Sequence, residues 1–507
     1  MKNNALSCNY ILILVFFLSA FIFTGCSKSK TENTPAPSET AAEKQQSSQQ
    51  KKPSETQKNI IFIMVDDLGY GDLGSYGQEL IKTPSLDKMA AEGMRFTDFY
   101  AGSTVCAPSR SVLMTGLHMG HTPVRGNAGK EIQTLVDSDV TVAEVLQDAG
   151  YKTALIGKWG LGDDGNTGLP NDQGFDYFFG YLNQVHAHNH YPEWLWRNKD
   201  KVKLDNIAEP SPFAYMDFHG GVARPENRKQ YSSDLFYEES LAFLDKAGDE
   251  PFFLFLSLTS PHANNEAEKV DWAHGMEVPS YGPYAGLDWS EEAKGYAGMV
   301  HHIDEGVGSI LEKLKQLGIE DDTYVMFTSD NGPHREGGND PDFFDSNGPF
   351  KGIKRSFHDG GIRVPFIVWS PGVVPANTTS DHIGYFGDLM AFVADVAGVK
   401  APDDIDSLSF LPEILGDAAG QPKHEFVYFE FYEMGGIQAV RHNQWKALRT
   451  PFHEGDIQLY DMSQDPGEEN NVAANHPELV KRIAQMMDNS HTPDPRWVPK
   501  KGAAGRD

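Results

Sequence analysis

Several residues able to do chemistry follow apolar runs at regular places in the chain. Asp66 and Asp67 end the run NIIFIMV (59 to 65), and Lys158 follows ALIG. His262 lies four residues past Leu258, the end of PFFLFLSL, and Asp330 with Asn331 comes just after YVMFT. Three carboxylates and an amide carbonyl are hard oxygen donors, which suit Ca²⁺ or Mg²⁺ rather than zinc, whose preference is for His and Cys. Taken one at a time, such pairs are ordinary turn formers. As four loops after four apolar runs, they are placed to converge on one crevice, because ligands bind beyond the carboxyl ends of strands in open α/β sheets.

A second cluster of chemical groups sits in STVCAPSRSVLMTG (103 to 116), which holds Cys106, one of three cysteines in 507 residues. Ala107 precedes Pro108 and is expected to be extended, and Ser109 to Thr115 reads as the first turns of a helix. Cys106 then lies at a helix N-terminus, where anions are favoured. Arg110 adds a forked donor that can hold two oxygens of an oxyanion and stays charged at any usable pH. The histidines of NQVHAHNHYPEW, His186, His188 and His190, alternate in a polar loop without a neighbouring cysteine or acidic ligand set, which favours substrate contact or plain surface over zinc.

The elements that must position these groups are legible as alternating strands and helices. TPSLDKMAAEG offers Thr83 as cap, Pro84 in the first turn, Leu86, Met89 and Ala90 on one face and Gly93 as stop. TVAEVLQDAG carries the capping box Thr141 with Glu144 and an apolar face of Val142, Val145, Leu146 and Ala149. Strands are expected at NIIFIMV, KTALIGKW, PFFLFLSL, TYVMFTSDNG and RVPFIVWSPG. Their near-continuous apolar character suits burial on both faces and so a mostly parallel sheet sandwiched by helices. After residue 423 short strands of mixed character and a helix from Pro477 to Met487 predict a smaller C-terminal antiparallel subdomain. The fold class is therefore α/β, with a large domain over 58–422 and a small one over 423–507.

Ahead of them, a lysine and an apolar run from Tyr10 to Phe23 form an export signal shorter than the roughly 20 residues of a membrane-spanning helix. It ends in Phe23-Thr24-Gly25-Cys26, which resembles a bacterial lipobox and implies cleavage after residue 25 and lipid on Cys26. Cys8 would then be discarded and Cys26 capped, so Cys106 has no intramolecular partner. Residues 26–57, rich in Ser, Lys, Gln and Pro, read as a disordered tether. The expected location is an exported, membrane-anchored lipoprotein facing the periplasm or cell surface. The net charge of −29 argues against nucleic acid as a partner, since phosphate backbones demand clustered Lys and Arg. A small anionic substrate stays compatible with it, because a few focused cations can override the global sign.

Cys106-Ala107-Pro108-Ser109-Arg110, with Leu113, Thr115 and Gly116, resembles the signature of the formylglycine-dependent sulfatases, a family with the alkaline-phosphatase-like fold. The resemblance extends through VDDLGYGD, GKWGLG (157 to 162), SPH (260 to 262), SDNG (329 to 332), FKGIKRSFHDGGIRVP (350 to 365) and LYDMSQDPGEENNVA (459 to 473). It implies hydrolysis of sulfate esters, carbohydrate ones foremost, by Cys106 oxidised to formylglycine by a dedicated maturase. It further implies a calcium ion held by Asp66, Asp67, Asp330 and Asn331, in contact with residue 106. Arg110, Lys158 and Lys354 would surround the sulfate, and His262 would stand near the leaving oxygen with Lys354 as its acid partner. Lys351 falls where an arginine is common.

Gly160 departs from the family, which usually has histidine there. Either another base serves, with His118, His121 or the 186 to 190 cluster as sources, or turnover is impaired. His358 and Asp359 replace a common tyrosine and glutamate, and the resemblance assigns them no role. Trp194 and Trp196 offer surfaces for sugar stacking or for the core. The alternatives are a phosphatase or phosphodiesterase of the same superfamily, which would use Ser or Thr as nucleophile, and a non-catalytic glycan-binding lipoprotein.

Overall fold

Asn59–Val65 runs through the middle of the molecule, paired in parallel with Phe252–Ser257 on one side and Thr323–Ser329 on the other. This computed structural model describes residues 57–210, 220–248 and 250–499, which belong to one compact unit, and the expected leader and the tether up to residue 56 lie outside them. A ten-stranded sheet is ordered Thr378–Ser380, Met94–Phe96, Phe366–Trp369, Thr323–Ser329, Asn59–Val65, Phe252–Ser257, Lys152–Lys158, Tyr177–Tyr181, Trp194–Arg197 and Asp200–Lys203. The five strands from Thr323–Ser329 to Tyr177–Tyr181 are mutually parallel. Phe366–Trp369, whose sequence is as apolar as theirs, pairs antiparallel to Thr323–Ser329. Side-chain composition reports burial on both faces and not strand direction.

Alternate residues of the central strand enter two separate cores. Ile60, Phe62 and Met64 pack with Val112, Leu113, Leu146 and Phe392, from helices on one face. Ile61, Ile63 and Val65 pack with Leu86, Met89, Phe236 and Ile303, from helices on the other. This is the predicted helix–sheet–helix sandwich.

The Val142–Asp148 helix has its expected capping box, Thr141 with Glu144. Thr83 precedes Pro84–Glu92 as predicted, but its hydroxyl does not cap the helix; it accepts from Gly74 N at 2.9 Å. Asp304, on the facing Glu291–Leu317 helix, accepts from Ser85 N at 3.1 Å and Leu86 N at 2.8 Å and so satisfies the free N-terminal amides. The helix expected from Ser109 begins at Cys106, so Ala107 is helical rather than extended. The chain turns in earlier because Val105 is extended (φ −146°, ψ 161°), Asn127 Oδ1 accepts from Ala107 N at 3.3 Å, and Pro108 sits in the first turn, where no amide is needed.

Val427–Phe431, Ile437–His442, Trp445–Arg449 and Ile457–Asp461 form the predicted antiparallel sheet. Its covering helix, Pro477–Ser490, runs three residues past the expected end. This sheet is joined to the larger one by buried charge. Lys446 Nζ lies 2.6 Å from Asp359 Oδ1, both side chains being fully buried, and Glu468 Oε2 accepts from Asp359 N at 2.7 Å. Glu468 thus anchors the 351–361 segment, which also carries Lys354.

Candidate functional site

Parallel strands end on the same edge, and there the side chains meet. Asp66 and Asp67 leave the central strand, Asp67 with a left-handed φ of 67° that turns its carboxylate against the neighbouring loop. Its amide donates to Asp330 Oδ1 at 3.2 Å, locking the two loops together. Lys158 is the last residue of its strand, and Cys106 the first of its helix. Arg110 follows one helical turn later on the same face.

Cys106, described as the unmodified thiol, has Sγ 3.1 Å from Asp66 Oδ1. Lys158 Nζ is 2.5 Å from Asp66 Oδ2, and Arg110 Nη2 is 2.9 Å from Asp330 Oδ2. Arg110 Nη1 is held by the carbonyl of Lys158 at 2.8 Å, which fixes the guanidinium plane. Lys354 Nζ lies 2.7 Å from Asp67 Oδ2 and 3.0 Å from Glu336 Oε2. Cys106, Arg110, Lys158, His262, Lys354, Asp66, Asp67, Asp330 and Asn331 are all brought to this one edge and are all buried.

Burial works against every charge here, and the pairing decides the outcome. Desolvation would raise Asp66, yet Lys158 and the other cations hold it well below the usual carboxylate range. Asp330 is pushed up to about 7 by burial and by Asp66, despite Arg110. Burial, and then Asp66, push the Cys106 thiol well up, so the unconverted side chain stays neutral and is a poor nucleophile. His262 is lowered by burial and by Lys354 and is neutral.

The donor set fits a hard divalent cation. Asn331 Nδ2 donates to Asp67 Oδ1 at 2.7 Å and to Gly332 O at 2.9 Å, which leaves Oδ1 buried and without a hydrogen-bond partner among the described residues. A buried carbonyl left unpaired is costly unless a cation or water completes it. Ligand atoms of Asp66, Asp67, Cys106 and His262 also lie within 4.8 Å of one another. Arg110, Lys158, Lys354 and Arg355 balance Asp66, Asp67, Asp330 and Glu336. An added divalent ion would therefore give the pocket the positive excess that an oxyanion requires.

Other expectations are redirected. His118 and His121 are not beside Cys106; they follow the far end of its ten-residue helix, about 15 Å away at the helical rise, and pair with Asp406. Lys351 turns to Glu468 O at 3.3 Å. Trp196 is in the core, and Trp194 packs against it. At Gly160, with φ 83°, a Cβ would stand 3.5 Å from Gln184 Oε1, 3.8 Å from Arg110 Cδ and 4.0 Å from Gln133 Nε2. Two amides therefore line the place where an imidazole was expected. His188 stacks on His262 with centroids 4.9 Å apart, so the 186 to 190 loop reaches the site from the His262 side. Sequence reasoning missed Glu336 and Arg355. Glu336 Oε1 accepts from Arg355 Nη1 at 2.6 Å while Oε2 meets Lys354. Its only signal in the chain is its place five residues after Asn331.

Comparison with known proteins adds independent findings. The Sulfatase family model matches residues 58–399, and the model described as N-sulphoglucosamine sulphohydrolase, C-terminal, matches 350–492. The N-acetylgalactosamine-6-sulfatase of Canis lupus familiaris is 33% identical over 416 residues, covering 77% of this chain and 71% of that one. The N-acetylgalactosamine-6-O-sulfatase of Bacteroides thetaiotaomicron is 29% identical over 499 residues, covering 86% and 93%. The solved structure of Ps i-CgsB in complex with k-i-k-neocarrahexaose superposes with a TM-score of 0.72 at 27% identity, over 88% of this chain and 95% of that one.

Proposed function

Because this chain belongs to the sulfatase family and is a sulfuric ester hydrolase, we propose that it releases inorganic sulfate from sulfated carbohydrates, using Cys106 converted to formylglycine beside a bound calcium ion. The observation that carries this reading is the position of Cys106: first residue of a buried helix, 3.1 Å from Asp66, within a ring of fixed cations. Preference for a sugar ester is supported by relatives named for N-acetylgalactosamine 6-sulfate.

Asp66, Asp67, Asp330 and Asn331 would hold the calcium, which supplies Lewis acidity toward a sulfate oxygen. Converted to the aldehyde hydrate, residue 106 would supply a nucleophilic hydroxyl toward sulfur and a second hydroxyl whose proton loss would release sulfate. The remaining work belongs to side chains already in place. Arg110, Lys158 and Lys354, with the helix N-terminus, bind the ester's charge and stabilise what develops in the transition state. His262 donates from Nδ1 to Ala263 O at 2.7 Å, so its Nε2 accepts from the Lys354 ammonium at 3.1 Å. That pair holds the proton needed by the departing alkoxide. Asp66 Oδ1 lies 3.1 Å from Cys106 Sγ and would orient the residue 106 side chain.

Export and lipid attachment at Cys26 belong to the same reading and are supported by the apolar leader and Phe23-Thr24-Gly25-Cys26. Such a tether would hold the enzyme at the periplasmic or outer face of a membrane. Conversion of residue 106 would need a formylglycine-generating maturase.

The test has two parts. Mass spectrometry of the peptide containing residue 106, from the native cell, should show the aldehyde in place of the thiol. Calcium-loaded protein should release sulfate from sulfated sugars. An unconverted thiol in active protein, or phosphate release from phosphate esters without sulfate release, would overturn the mechanism.

A further inference from the structure

Glu266 is a fully buried acid with no part in the chemistry above. Both carboxylate oxygens face His188 Nδ1, at 3.3 and 3.4 Å, and Oε2 has no hydrogen-bond partner among the described residues. A buried carboxylate on one ring nitrogen fixes the proton there and leaves the other nitrogen with its lone pair. His188 Nε2 is that other nitrogen; the ring's hydrogen-bonding contact is through Nδ1, and the side chain is 12% exposed.

The ring is rigidly placed. It lies on the His262 ring at 13° and 4.9 Å, and the loop is pinned by His190 Nε2 to His262 O at 2.8 Å and by Asn183 Oδ1 to Val185 N at 2.8 Å. An open acceptor beside the leaving-group histidine repels sulfate oxygens, which need donors, and matches a hydroxyl, which donates.

Resting on the function proposed above, we infer that His188 determines specificity by accepting a hydrogen bond from a free hydroxyl of the sugar that bears the ester. Glu266 is the positioning residue that fixes its tautomer. Aryl sulfates lack that hydroxyl and gain nothing from it.

Sulfate release is compared for N-acetylgalactosamine 6-sulfate and 4-nitrophenyl sulfate. His188→Ala and Glu266→Gln should lower kcat/KM for the sugar about 10- to 100-fold, mainly through KM, and leave the aryl ester within about twofold. In parallel, calorimetry on Cys106→Ala protein measures binding of the same sugar and its 3-deoxy and 4-deoxy analogues. One analogue should bind as weakly as the parent sugar binds the His188→Ala double variant, and adding His188→Ala should weaken that analogue no further. Equal losses for sugar and aryl ester, or deoxy losses that persist without His188, overturn the inference. Should no substrate be turned over, the proposed function fails while the binding comparison still decides the role of His188. His188→Asn, with the thermal midpoint recorded, separates loss of contact from loss of fold.

Discussion

Lys354 Nζ lies 3.1 Å from His262 Nε2, with the far side of the ring tied to Ala263 O. An ammonium is thereby kept against a neutral imidazole at the edge where a leaving oxygen departs. Protonation matters most when the leaving group is a poor one. His262→Ala should therefore lower kcat on a sugar sulfate about 10²- to 10⁴-fold, and on 4-nitrophenyl sulfate far less. Equal losses on both esters would remove the proton-donating role.

Calcium should behave as a ligand of the native state. At about one hundred times its Kd it should raise the unfolding free energy by ~2.7 kcal/mol, and chelation should abolish sulfate release reversibly. Asn331→Ala, which deletes the unpartnered Oδ1, should weaken calcium binding in a titration and shrink that gain. An unchanged calcium response in this variant would place the ion elsewhere.

His118 tests the acid side of stability. Burial lowers it to about 4 from the usual 6.5. Between those values the unfolded chain binds a proton that the native chain does not, so stability is complete above pH 6.5 and falls as pH drops. Between pH 7 and 5 this one group should cost ~2 kcal/mol. His118→Asn should flatten the fall by that amount in denaturant titrations. Comparing parent with variant isolates the effect, because Asp72 and Glu277, both raised to about 7 by burial, act with the opposite sign.

Breaking the buried Lys446–Asp359 pair should be costly. Lys446→Met leaves Asp359 sealed with Arg363 at 3.2 Å as its remaining ion-pair partner and Arg441 farther off, and should lose ~3 kcal/mol in urea unfolding. Adding Asp359→Asn should recover part of that loss. If the pair carries no such weight, the double variant will be no more stable than the single one.

Much of this architecture was legible because apolar runs and their flanking residues are local signals. Asp66, Lys158, His262 and Asp330 could be assigned to one crevice because parallel strands must end on one edge. The start of the Cys106 helix was placed late because the restraint that Pro108 puts on Ala107 is local, whereas the Asn127 side chain that satisfies Ala107 N arrives from 20 residues away. Asp304, 219 residues beyond the Ser85 amide it accepts from, displaces Thr83 as a cap, between two helices that only packing brings together. Glu336, Glu266 and Glu468 look like solvated loop acids in the sequence. Each becomes functional only through a partner contributed by another segment: Lys354, His188 and the Asp359 amide. The misplacement of His118 and His121 has the same origin. They are close to Cys106 in sequence, yet a ten-residue helix separates them from it in space.

Glu468 and Lys446 brace the segment that presents Lys354 from the opposite end of the polypeptide. A nascent chain therefore carries its nucleophile, and later the whole acidic pocket, well before it can brace Lys354. Premature termination between HDGG and the final sheet, whose first strand starts at Val427, would yield a protein with every signature motif through HDGG and no working centre. Synthesis to nearly the last helix is thus a built-in licence for catalysis.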